Sequence, residues 1–185
     1  MKFKTYPSYK DSGVEWMGEV PESWETKRLK FSVGLRADKL QAINSELSYI
    51  GLENIESWTG KFLTNDSTFE AEGASNCFKI GDVLFGKLRP YLAKAFLTKT
   101  EGLCSSEFLV LKANKITPGF LIKFILSYDF INQVNPSSYG VKMPRVSWEF
   151  VGNLSIPIPP VQDQVTIVNF LDCETLRTTS YICSK

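Results

Sequence analysis

Within nine residues, Gly86-Lys87-Leu88-Arg89-Pro90-Tyr91-Leu92-Ala93-Lys94, the chain gathers three cations and a tyrosine, and no acid falls between Asp82 and Glu101. These residue types suit an anionic, hydrogen-bonding surface. A guanidinium offers a planar fork that matches a phosphate or the major-groove edge of guanine, an ammonium is a point charge for phosphates, and a phenol can reach sugar or base. Gly86 and Pro90 would bend the chain and turn Lys87, Arg89 and Lys94 outward, with Tyr91 among them. On spacing alone, the simpler reading of the same segment is a soluble β-turn between two core strands. A second loop, residues 139–145, sets Lys142 and Arg145 beside Tyr139, with Gly140 and Pro144 as punctuation. A third cluster, Lys27-Arg28-Lys30, lies next to Glu22 and Glu25 and reads as the solvated side of a strand.

Other chemistries find little support. The chain has no histidine, which removes every Ser-His-Asp and Cys-His arrangement and the commonest general base. Its cysteines, at 77, 104, 173 and 183, form no CxxC pair, so a zinc site would need four unrelated thiols to converge; small hydrophobes in a reducing cytosol are the simpler reading. Asn135-Pro136-Ser137-Ser138-Tyr139 faintly resembles the Asn-Pro-Pro-Tyr loop of adenine methyltransferases, but it lacks the second proline and is one residue too long. Glu25-Thr26-Lys27 could end a nuclease metal site with Asp11 or Glu15 as the missing acid, yet such tripeptides arise often by chance and those acids fall in an irregular arm. No phosphate-binding Gly-x-x-x-x-Gly-Lys-Ser/Thr loop is present. The expectation is a protein with no catalytic residues, metal or cofactor of its own. A net charge of +1 confines phosphate contact to local patches.

The elements that must hold these loops are those of a mixed α/β (α+β) domain. A chain of 185 residues, 43% hydrophobic and 13% aromatic, is long enough for one sizeable core. No apolar stretch approaches the roughly 20 residues of a membrane helix, and residues 1–8 lack the apolar centre of a signal peptide, which predicts a cytoplasmic protein with no membrane partner. Residues 1–22 read as an irregular, aromatic-dotted arm; residues 23–160 as the globular domain; residues 161–185 as a helix beyond a Pro-rich hinge. Strands are expected from Trp24 to Phe31, at Tyr49–Leu52, across Phe78–Phe85, from Tyr91 to Leu97 and from Glu107 to Leu111. Pro118 opens a helix whose apolar stripe is Phe120, Leu121, Phe124, Ile125 and Tyr128. On the last helix Val161, Val165, Val168 and Leu171 mark a stripe suited to its own domain or to another long helix, with residues 176–180 a poor continuation.

Several segments, in order along nearly the whole chain, resemble type I restriction–modification specificity subunits. They are Tyr9 to Trp16 with Gly18-Glu19-Val20-Pro21 and Trp24; Gly81 to Leu92; Cys104-Ser105-Ser106-Glu107-Phe108; Met143 to Trp148; and Ile156 to Pro160 leading to Gln164 and Phe170-Leu171-Asp172. The resemblance implies a target recognition domain that reads one half of a split double-stranded DNA site, followed by a spacer helix. It implies methyltransferase subunits docked on that helix and, through them, a restriction subunit; S-adenosylmethionine, ATP and magnesium would belong to those partners. Lys87, Arg89, Tyr91, Lys94, Tyr139, Lys142 and Arg145 become the residues expected to face DNA. The spacer helix of the family runs further than Lys185, so the chain looks like half of such a subunit. Two rival readings remain: a subunit that pairs through its helix with another copy or with a methyltransferase without reading DNA, and a metal nuclease using Glu25 and Lys27.

Overall fold

The computed structural model describes residues 5–41, 47–64, 74–135 and 143–183. In chain order the first strands are β1 (Tyr9–Asp11), β2 (Glu19–Pro21), β3 (Glu25–Arg28), β4 (Val33–Leu35), β5 (Lys39–Gln41) and β6 (Tyr49–Ile50). Then come β7 (Ala74–Phe78), β8 (Val83–Gly86), β9 (Ala95–Leu97), β10 (Gly102–Cys104) and β11 (Phe108–Ala113). Helices α1 (Pro118–Ile125), α2 (Tyr128–Val134) and α3 (Trp148–Asn153), strand β12 (Ser155–Ile158) and helix α4 (Val161–Cys183) complete the order.

The centre is an antiparallel sheet in the order β4-β11-β8-β9, with Phe108 opposite Gly86 and Leu111 opposite Val83. Strand β8 and the first four residues of β11 are apolar and buried throughout, as a sheet covered on both faces demands. One face (Val83, Phe85, Leu109, Leu111) packs on Phe120, Leu121, Ile125, Phe130 and Ile131 of α1 and α2, with the Phe85 and Phe130 rings edge to face at 5.8 Å. The other face (Leu84, Phe108, Val110) meets Ile50, Phe78 and Cys104 of a second sheet, ordered β5-β7-β10-β6, and Ile55 beside it. The body is therefore three layers: helices, sheet, sheet.

Helix α1 starts as read, with Thr117 Oγ1 accepting the Phe120 N–H at 3.2 Å and Pro118 in the first turn. It stops earlier than the stripe suggests. Ser127 caps a separate helix α2, accepting the Phe130 N–H, so Tyr128 begins that helix and stands exposed. Four expected strands are likewise interrupted. Leu29–Phe31, Leu52–Asn54 and Pro90–Leu92 are 3-10 turns, and the Phe78–Phe85 run divides at Lys79–Asp82, where Gly81 adopts φ +84°.

The arm read as irregular contains the β1–β2 hairpin and is docked on the body. Tyr6 Oη and Trp24 Nε1 both donate to Asp163 Oδ2, at 2.9 and 3.1 Å, and Trp16 lies 6.5 Å from Phe124. Helix α4 begins at a buried amide: Gln164 Oε1 accepts the Thr117 N–H at 2.7 Å, and its Nε2 donates to the Pro159 carbonyl at 2.8 Å. Ile167 and Val168 pack on the domain core, and Lys123 pairs with Asp172 at 2.6 Å. The expected stripe is thus split. Val168 turns toward its own domain, while Val161, Val165 and Leu171 are exposed. Nor does the helix falter where it was expected to: it continues to Cys183, and the Thr175 and Thr178 hydroxyls satisfy the Leu171 and Glu174 carbonyls one turn back. No helix among the described residues is long and apolar enough to cross a membrane.

Candidate nucleic-acid interface

The first cationic loop leaves the end of β8 at Gly86, a position with no room for a side chain. A Cβ there would meet Leu52 Cδ2 at 2.9 Å and the Lys94 carbonyl at 3.2 Å. The Gly86 N–H donates to that carbonyl at 2.8 Å and closes residues 87–93 into a compact loop. Three backbone hydrogen bonds then stitch it to its surroundings. Lys87 N–H donates to Glu107 O (2.9 Å), Arg89 N–H to Pro144 O (2.8 Å) and Val146 N–H to Lys87 O (3.0 Å), with Leu88 and Arg145 forming an isolated antiparallel bridge. Two cationic segments remote in sequence become one surface at one end of the central sheet.

Arg89 sits in the left-handed region at φ 51°, ψ 62°, and Ala93 at φ 46°, ψ 48°, on either side of the 3-10 turn. Each such non-glycine residue costs on the order of 1–2 kcal/mol. The cost is borne by the Pro144 hydrogen bond, by buried Pro90, and by Ala93, which is fully enclosed and accepts the Trp58 N–H at 3.1 Å. The result is an arginine held out from the body: Arg89 is exposed, Tyr91 is 41% exposed, and among the described residues no side-chain partner engages Arg89.

Not every expected residue joins them. Lys94 folds inward, its ammonium donating to the Leu52 carbonyl at 2.7 Å, because Leu52 approaches from a distant part of the chain. Lys87 is half-buried. Arg145 is exposed but held by Glu107: Nε donates to Oε2 at 3.0 Å and Nη2 to Oε1 at 3.3 Å. That hydrogen bond, reinforced by Coulomb attraction, raises the Arg145 pKa further and keeps it charged. Tyr139 and Lys142 lie outside the described residues. In the third cluster Lys27 pairs with Glu25, while Arg28 and Lys30 reach Asn153, the solvated strand side that was expected. Among the described residues no group of three or more His, Cys, Asp or Glu could hold a metal ion.

The family model described as the type I restriction modification DNA specificity domain matches residues 21–178. The chain belongs to this family. The specificity subunit of the type I restriction enzyme EcoDI from Escherichia coli is 25% identical over 174 residues, 88% of this chain and 38% of that protein. The specificity subunit of MjaVIII from Methanocaldococcus jannaschii is 23% identical, covering 86% of this chain and 40% of that protein. The chain therefore spans about two fifths of the length of these curated relatives. Among solved structures, the HsdS subunit from Thermoanaerobacter tengcongensis superposes with a TM-score of 0.75 at 24% identity, covering 88% of this chain and 44% of that one. A chain from a type I restriction–modification system, solved for its complex assembly and conformational transition, gives 0.76 at 26% identity, covering 87% and 44%. The mixed α+β architecture is thus that of the specificity-domain structures. A subunit that pairs without reading DNA is not favoured by a family described by its DNA specificity.

Within the specificity domain, residue-by-residue reading missed two features. Glu107 stood in one of the matching segments, but its contact with Arg145 depends on strand register: it precedes β11 just where the Lys87 N–H reaches its carbonyl. Pairing β8 with β11 on paper sets Glu107 opposite Lys87, but only the Leu88–Arg145 bridge brings Arg145 to it. The other is Trp58, left-handed at φ 67°, which stacks on exposed Tyr128 at 6.4 Å and 26° behind the same loop. Only distant tertiary contacts create that pair.

Proposed function

We propose that this specificity domain reads one half of a split duplex DNA site and performs no chemistry itself, leaving S-adenosylmethionine, ATP and magnesium to methyltransferase and restriction subunits. The observation that carries the reading is the stitched surface in which Arg89, strained and exposed, lies across a backbone bridge from Arg145. Strain kept at an exposed cation stabilises nothing in the free protein, and a guanidinium fork is suited to phosphates and guanine edges. Arg89, Lys87, Tyr91 and Arg145 are the contacts proposed from the described residues; Tyr139 and Lys142 join them on sequence grounds. Exposed Val161 and Val165, one turn apart on α4, offer an apolar surface for a methyltransferase helix or a second copy, which fits relatives named as subunits of assembled restriction enzymes. The proposed setting is the cytoplasm, where host DNA is met.

The test is selection from a random-sequence duplex pool, followed by titration of the enriched duplex over a range of salt. A short enriched motif is expected, with affinity falling log-linearly as salt rises and a marked loss for Arg89→Ala. No enrichment, together with binding that ignores salt and the substitution, would remove the proposal.

A further inference from the structure

The Arg145–Glu107 pair is poorly explained as a stabilising contact. Its side chains are 51% and 26% exposed, and an ion pair so open to solvent adds little to folding. It is also poorly explained as a phosphate clamp, because the carboxylate cancels the arginine's charge and repels an approaching phosphate. Its geometry suits a different ligand. Glu107 is held by its own backbone, accepting the Lys87 N–H through its carbonyl while its N–H donates to Ser105 Oγ at 3.2 Å. It grips Arg145 along the Nε–Nη2 edge, leaving the Nη1 hydrogens and the outer Nη2 hydrogen as an end-on fork. Such a fork matches the O6 and N7 acceptors of guanine, and the N4 amino group of the paired cytosine can donate to a remaining lone pair of Glu107.

We propose that Arg145 and Glu107 together read one G·C base pair in the major groove, Arg145 contacting guanine and Glu107 positioning it while facing the paired cytosine. The inference rests on the DNA-reading function above and adds the identity of one recognised base pair and of its second reader. Prepaying the arginine's rotamer entropy sharpens discrimination. Neutralising its charge suppresses binding to unrelated DNA.

The experiment compares wild type, Arg145→Lys and Glu107→Gln on the selected duplex, on its single-position variants and on a scrambled duplex, with thermal melts to establish folding. Arg145→Lys keeps the charge and the pairing with Glu107 but lacks the fork; Glu107→Gln keeps the shape and lacks the charge. Both are expected to lower the preference for G·C at one and the same position by about tenfold. Glu107→Gln should also tighten binding to the scrambled duplex and steepen its salt dependence by about one phosphate contact. Preferences unchanged at every position in both variants would overturn the inference, and so would a Glu107→Gln effect equal on all duplexes, which marks a phosphate contact. If wild type enriches no motif at all, the DNA-reading function fails as well; a motif indifferent to both substitutions sinks this inference alone.

Discussion

Strand β8 has an arginine–carboxylate pair at each end, and the two pairs are chemically alike. Near its start, Arg36 Nε and Nη2 donate to Asp82 Oδ2 and Oδ1 at 2.7 and 3.2 Å; beyond its end, Arg145 does the same to Glu107 at 3.0 and 3.3 Å. Surroundings separate them. The Asp82 side chain is 3% exposed and also accepts the Lys79 N–H at 2.8 Å, while its backbone carbonyl accepts from Thr98. Arg36 is 15% exposed, and the hydrogen bond it donates to Asp82 raises its pKa above the ordinary arginine value. That end is nearly closed: apart from a 3.4 Å contact of Arg36 Nη1 with exposed Asp38, its polar groups are satisfied inside the protein. The other end leaves part of its guanidinium unused and open to solvent, beside a strained Arg89. Bidentate pairing is therefore common to both ends, and what separates them is the guanidinium edge left open to solvent at Arg145.

The comparison is broken most directly by cutting each pair. Asp82→Ala leaves Arg36 with only its 3.4 Å contact to exposed Asp38 and removes the acceptor of the Lys79 N–H, and should cost about 3 kcal/mol of stability, read from urea unfolding. Glu107→Ala should leave the urea midpoint within error while altering DNA preference. Equal destabilisation by both would erase the distinction between the two ends. A smaller effect of opposite sign is expected at Arg89. Glycine tolerates φ 51°, so Arg89→Gly should gain up to about 1 kcal/mol in stability while weakening DNA binding. A loss of stability would mean that the left-handed turn is not strained. The smallest effect concerns Cys104, enclosed between the two sheets, whose thiol burial pushes up to about 12 from an ordinary 9.0. The folded state then keeps a proton that the unfolded chain releases, so stability is full below the unfolded value and declines as pH rises from about 9 toward 12. Cys104→Val should flatten that decline, and iodoacetamide at about pH 8 should label exposed Cys173 well before Cys104.

The middle layer was the most legible part of the fold. A strand buried on both faces must be apolar at consecutive positions, and Val83–Phe85 and Phe108–Leu111 are so written. Helix α1 announced itself through Pro118 and its stripe. The 3-10 turn at Pro90–Leu92 was hidden, because the left-handed residues flanking it are an arginine and an alanine, whose types give no sign of that conformation. The site was half legible. Charge and loop residues marked Arg89 and Arg145, but whether a cation points in or out is decided by remote partners, Leu52 for Lys94 and Glu107 for Arg145, which no local pattern records. The split of the α4 stripe has the same origin: Val168 packs beside Gly119 of α1, a neighbour remote in sequence.

Gln164 ties the root of α4 both to the start of α1, at Thr117, and to the link that leads into α4, at Pro159, so both halves of its amide are bonded inside the protein. Tilting that helix would strand a buried donor and a buried acceptor together, so its root behaves as a welded joint and not as a hinge. Val161 and Val165, exposed on the first turns of α4, therefore stand on a stiff base.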